Sequence, residues 1–124
     1  MITIILLAFA GIFNAIMDTI KSPTYYDKSI FPKTGKWSNF LDHRKSSSRK
    51  WKPGTTNQER FLGSSTIFVM FTDGWHLAQA FMIFSFVGAI PFYTPYINIW
   101  WDIVGMIAVM TGMFQLFFGV VFRK

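Results

Sequence analysis

An all-α bundle of three transmembrane helices, with a basic, partly ordered cytoplasmic loop between the first and the second, is the fold this sequence predicts. Three observations carry that prediction. Hydrophobic residues make up 52% of the 124 and charged residues only 15%, against about 25% charged in a typical soluble domain. Fifteen Phe and five Trp are more than a water-soluble core of this size can hide, because small domains bury a modest share of their surface. All twelve Lys and Arg stand in two places, ten from Lys21 to Arg60 and two at Arg123-Lys124. Residues 1–20 and 61–122 carry none, whereas a soluble nucleic-acid binder spreads its basic residues over a folded face. The length fits a single domain, residues 1–124.

The first span is expected over residues 2–20, since about 20 apolar residues cross a bilayer core. It stops at Lys21-Ser22-Pro23, where proline biases the preceding residue away from helix. The apolar start lacks a basic n-region and an Ala-x-Ala site, so a retained helix is expected rather than a cleaved signal. Residues 21–62 form the loop. From 22 to 62 nine basic residues face Asp27, Asp42 and Glu59, with Pro23, Pro32, Gly35, Pro53 and Gly54 as breakers and Ser46-Ser47-Ser48 as a flexible run. Tyr25, Tyr26, Phe31, Trp37, Phe40 and Trp51 interrupt the polarity. Disordered linkers are poor in aromatics, so partial folding back onto the bilayer surface is expected. Thr56-Asn57-Gln58-Glu59 fits a capping box and predicts a helix start.

The second span is expected over about 66–90, either continuous and tilted or broken at Thr72-Asp73-Gly74. In the broken form the piece before Asp73 is interfacial or re-entrant. A turn at 92–98 containing Pro95 leads to the third span, about 99–122, which Arg123-Lys124 closes. The positive-inside rule places the loop and the C-terminus on the cytoplasmic side, giving an N-out, C-in chain; a bacterial inner membrane is the expected location. Phe92, Tyr93, Tyr96, Trp100 and Trp101 suit an outer aromatic belt.

Polar residues inside apolar spans are costly, about 2.5–3.5 kcal/mol for an ionisable group on insertion scales, and lean functional. They are Asn14 and Asp18 in the first span, Asp73, His76 and Gln79 in the second, and Asp102, Thr111 and Gln115 in the third. Asn14 and Asp18 are four apart and share a face, as do Asp73, His76 and Gln79 at spacings of three. Antiparallel spans put Asn14, Asp73 and Gln115 at similar depths near the cytoplasmic end. The candidate site is therefore Asn14, Asp18, Asp73, His76, Gln79 and Gln115. Asp18, Asp73 and His76 offer carboxylate and imidazole ligands for zinc or another divalent ion, or a proton relay. Arg60, with Lys50 and Lys52, offers an anion or headgroup contact. The plainer reading pairs Asp18 with Lys21, makes Asp73 a helix cap, and leaves His43 a solvated loop histidine.

Cysteine is absent, which excludes disulfides, Cys metal sites and a Cys nucleophile. Gly11-x-x-x-Ala15 and Ala108-x-x-x-Gly112, extended by Gly105 and Gly119, permit close helix approach, within the chain or to a second copy or another membrane subunit. The basic loop reads first as a topological determinant and next as a contact for anionic lipids. Its run Arg44-Lys45 to Arg49-Lys50-Trp51-Lys52 is only a weak nucleic-acid signal.

Phe13-Asn14-Ala15-Ile16-Met17-Asp18, Ser29-Ile30-Phe31 and Phe71-Thr72-Asp73-Gly74-Trp75-His76-Leu77 resemble the motifs of a group of small, uncharacterised bacterial and phage membrane proteins. The resemblance runs from the first helix to His76. It implies that Asn14, Asp18, Asp73 and His76 belong to one site and implies no reaction. Members carry a histidine between the first helix and Ser-Ile-Phe, where this chain has Tyr25-Tyr26-Asp27, and that departure weakens a transferred ligand set. Three function classes follow: a membrane protein with an Asp/His site that binds an ion, headgroup or substrate, with hydrolysis as one chemistry open to it; a non-catalytic accessory subunit; and a holin-like pore, which the 41-residue polar stretch 22–62 disfavours.

Overall fold

The computed structural model describes residues 1–46 and 48–123. Ser47 of the serine run and Lys124 of the closing basic pair lie outside the described residues. Among those described, six α-helices run in chain order: α1 Ile2–Lys21, α2 Pro23–Asp27, α3 Gly35–Leu41, α4 His43–Ser46, α5 Gly74–Ala89 and α6 Ile99–Leu116. A 3₁₀ turn, Ile90–Phe92, extends α5, and a π turn, Phe117–Val121, extends α6.

Three of these helices are long and apolar enough to cross a membrane: Ile2–Lys21, Gly74–Phe92 and Ile99–Val121, of 20, 19 and 23 residues. At 1.5 Å per residue they reach about 30, 28 and 34 Å, close to the ~30 Å of a hydrocarbon core. The chain is a membrane protein, and its exterior fits that solvent. Phe84, Phe86, Ile90, Val104, Ile107 and Val120 all stand exposed on α5, α6 and their extensions, an apolar surface that water does not tolerate over such a length.

The spans run antiparallel. At one end the Met1 amino group donates to the Tyr96 hydroxyl at 2.8 Å, and Thr3 Oγ1 donates to the Phe92 carbonyl at 2.8 Å. Asp102 locks the turn there, accepting from Tyr93 Oη at 2.9 Å and the amides of Tyr96 and Ile97 at 2.8 and 3.2 Å. At the other end Ser29 of the loop bridges Arg123. The Arg123 guanidinium lies 4.0 Å from the Tyr25 ring centroid and 4.2 Å from that of Phe118, a cation–π clamp. The loop and the last described residues thus share one end of the bundle.

α1 is the central helix. Both α5 and α6 pack on it and make little contact with each other. Gly11 lets α6 come close: a Cβ there would stand 2.4 Å from the Met110 carbonyl oxygen. Between α5 and α6 remains an apolar cavity of about 440 Å³ lined by Thr3, Leu7, Phe86, Tyr93, Met106 and Met110 among others.

Two expectations are corrected, and the second span takes the broken one of its two expected forms. The second span starts at Gly74, not near residue 66, because the Asp73 carboxylate caps a new helix there. Residues before it form turns and a short 3₁₀ segment, Val69–Phe71. The capping box at 56–59 starts no helix. Gly54 takes a positive φ of 79°, which glycine alone adopts freely, and the chain folds back. Lys52 N then donates to Gln58 O and Arg60 N to Lys50 O. Glu59 instead accepts from Gly63 N, Ser65 N and the Ser65 hydroxyl, and those bonds hold its carboxyl below the usual range. Finally, His43 is half-buried rather than solvated.

The loop is ordered around a buried aspartate. Asp42 accepts from Arg44 Nε at 2.9 Å, Nη2 at 2.8 Å and backbone N at 3.1 Å, while Arg44 reaches Asp27 at 2.8 Å. The Arg44 hydrogen bonds hold the Asp42 carboxyl below its ordinary value. A depressed carboxylate contributes stability above its unfolded pKa, about 3.9, and loses it as pH falls through the lower folded value. Pepsin cleavage near Phe40-Leu41 should therefore be slow at pH 4.5 and accelerate below that ordinary value. Asp42→Asn should abolish the excess acceleration, with rates corrected on an unfolded peptide of the same sequence.

Candidate functional site

The polar site that does assemble lies where the loop enters the second span. Asp73 is extended (φ −154°, ψ 159°) and caps α5. Its Oδ1 accepts from the His76 amide at 2.9 Å, and its Oδ2 lies 2.7 Å from His76 Nδ1. Thr72 Oγ1, whose proton goes to the Val69 carbonyl at 2.7 Å, lies 3.3 Å from Oδ2. The spacing explains the geometry: a cap residue reaches the amide of its third successor, and helical side chains lean back toward the N-terminus, which brings the imidazole onto the same carboxylate.

Packing from the loop holds this corner. A Cβ on Gly74 would stand 2.7 Å from Leu41 Cδ2 and 3.3 Å from Leu41 Cα, so the end of α3 sits directly on the first turn of α5. The Trp75 ring stands edge-on to His76, centroids 4.8 Å apart at 90°. The Asp73 residue is 2% exposed, and the His76 side chain 24%. A buried carboxylate thus holds a partly open imidazole. Because Oδ2 can only accept when ionised, the geometry assigns the Nδ1–H tautomer to neutral His76 and leaves Nε2 with its lone pair.

The remaining sequence candidates are placed differently. Asn14 and Gln79 are half-buried on α1 and α5, Asp18 is exposed on α1, and Gln115 is exposed on α6. Among the described residues no ion pair joins Asp18 to Lys21. Nor do three or more His, Cys, Asp or Glu gather where they could hold a metal ion. The Asp18–Asp73–His76 ligand set is therefore not assembled. Asp73 is engaged by the helix cap and by Nδ1, and Asp18 stands apart from that corner. Arg60 and Lys52 are exposed and Lys50 half-buried on the hairpin closed by the Trp51–Glu59 bridge.

Sequence reasoning missed two features. α4 packs against α5, and buried His43 Nδ1, Ser46 Oγ and Trp75 Nε1 on these two elements have no hydrogen-bond partner among the described residues. The Asp27–Arg44–Asp42 cluster orders the loop from positions 17 residues apart, a separation that leaves no local signal. Gly105, Gly112 and Gly119 of the α6 segment have open space where a Cβ would stand, so the small residues of the third span face away from the bundle.

No family model, curated protein or solved structure matches this chain.

Proposed function

We propose that this chain is a bacterial inner-membrane protein, N-out and C-in, whose Asp73–His76 pair forms a polar site at the cytoplasmic leaflet. The site receives the headgroup or ester of a lipid-borne substrate. The observation that carries the reading is the 2.7 Å contact of a buried carboxylate with the Nδ1 of a partly open imidazole. That arrangement supports His76 as hydrogen-bond acceptor or general base through Nε2, with Asp73 as its positioning residue. Hydrolysis is the chemistry it suits, since a water against Nε2 would give up its proton there. Arg60, Lys50 and Lys52 supply positive charge for a phosphate or anionic lipid. The orientation rests on the ten basic residues from Lys21 to Arg60 at one end of the bundle.

Imidazole ¹⁵N spectra in nanodiscs test this, with His76→Ala identifying the signal. Zwitterionic discs should give the Nδ1–H tautomer, and adding phosphatidic acid should shift the Nε2 resonance. An Nε2–H tautomer indifferent to phosphatidic acid would refute the reading.

One observation favours a second reading, an accessory or self-associating subunit. The open glycines of the α6 segment, with Gln115 three residues beyond Gly112, suit close approach of another helix. Its discriminating variant is Gly112→Leu, which would change the oligomeric state in detergent and leave the imidazole spectra unaltered.

A further inference from the structure

We propose that residues 61–71 form an interfacial wedge that dips into the acyl-chain boundary of the leaflet on the loop side. The segment is inside-out by the standards of a soluble loop. Leu62 is 89% exposed and Ile67 77%, with Phe68 and Phe71 also exposed. Two of its three hydroxyl residues, Ser64 and Ser65, turn inward instead, while Thr66 is exposed. Ser64 is fully buried and donates to the Lys50 carbonyl at 2.7 Å. Ser65 is held by Glu59, and Thr72, just beyond, donates to the Val69 carbonyl at 2.7 Å.

Most of the backbone amides are satisfied in the same way. The amides of Gly63 and Ser65 donate to Glu59. Those of Ser64, Thr66, Phe68, Val69, Phe71 and Thr72 donate to carbonyls within the segment. Eight amides of the stretch are paired in this way, while those of Leu62 and Ile67 make no such bond; in a low-dielectric medium each unpaired group costs several kcal/mol, which favours pairing on this scale. Hydrogen bonds turned in and apolar side chains turned out are what lipid contact selects.

Two further facts name lipid as the occupant. Only Thr72 and Asp73, both buried, separate the wedge from Gly74–Phe92, whose Phe81, Ile83 and Phe84 stand exposed, so the wedge leads directly into an apolar span. The hairpin leading into it presents Lys50, Lys52 and Arg60, complementary to anionic headgroups at the depth where they would lie. The wedge thus acts as an interfacial anchor beside the polar corner at Asp73 and His76. It stands whether or not that corner is a site.

The native chain has no cysteine, so single nitroxide labels can be placed at will. Leu62→Cys and Ile67→Cys, with Gln58→Cys on the exposed hairpin as the aqueous reference, are reconstituted in phosphatidylcholine–phosphatidylglycerol vesicles. Collision rates with oxygen and with a water-soluble nickel chelate are then measured. The labels at 62 and 67 should favour oxygen over nickel by several-fold relative to the label at 58. Nickel accessibility equal to that at 58 would overturn the proposal, as would protection from both reagents, which would mean that protein covers the segment.

Discussion

Gly11→Leu is expected to separate α1 from α6 and to unfold the bundle at markedly lower denaturant. Even the first carbon of the new side chain would lie 2.4 Å from the Met110 carbonyl oxygen and 3.1 Å from Met113 Cβ. The obstacle is backbone, which cannot rotate aside. Overpacking of a well-filled site costs about 1–3 kcal/mol and sometimes more, and a clash with main chain belongs at the upper end. The contrast is Gly105→Leu, where nothing stands within 4 Å and the change should stay within about 0.5 kcal/mol, as for an unencumbered surface position. Titration from dodecylmaltoside into SDS, followed by the fluorescence of Trp100 and Trp101 on α6, reads both variants on one scale.

Asp73→Ala should have the second largest effect. It removes a helix cap, worth about 0.5–2 kcal/mol, and takes the carboxylate from His76 Nδ1, a charge-assisted bond worth about 1.5–3 kcal/mol. The two losses share one side chain and do not simply add. Asp73→Asn separates them. Its amide oxygen can still accept from the His76 amide, so the cap and most of the stability should return, while the Nδ1–H tautomer should not be restored to the same degree. Amide exchange at Trp75, His76 and Leu77 reports the cap, and imidazole ¹⁵N shifts report the tautomer. Equal exchange in the alanine variant and the native chain would show that α5 does not depend on this cap.

The spans were legible because bilayer thickness imposes a length on apolar runs that few other constraints imitate. Ile2 to Lys21 and Ile99 to Val121 stand within a residue of where hydropathy places them. The second span was harder for a physical reason. Ile67, Phe68, Val69, Met70 and Phe71 are as apolar as the helix that follows, and hydropathy cannot tell a lipid-facing turn from a span. The punctuation that decides the matter is Asp73, one side chain that caps Gly74. The same residue made half of the candidate site readable, since a cap and a histidine three positions on meet by local geometry alone.

The other half was not readable. Whether Asp18 or Gln115 turns toward His76 depends on how α1 and α6 rotate, which packing such as that of Gly11 on Met110 decides. Asp42 was equally hidden. Its neighbours in sequence announce a charged loop, and only the return of Asp27 across 17 residues to Arg44 makes it a buried anchor.

Sided labelling tests the three-span arrangement most directly. In sealed vesicles of known orientation, a membrane-impermeant maleimide is applied to Lys36→Cys in the loop, to Thr94→Cys in the 92–98 turn, and to a cysteine appended after the last residue. The loop and C-terminal positions should react from one side and Thr94→Cys only from the other. Reaction of Lys36→Cys and Thr94→Cys from the same side would contradict the fold described here, because α5 could not then cross the bilayer.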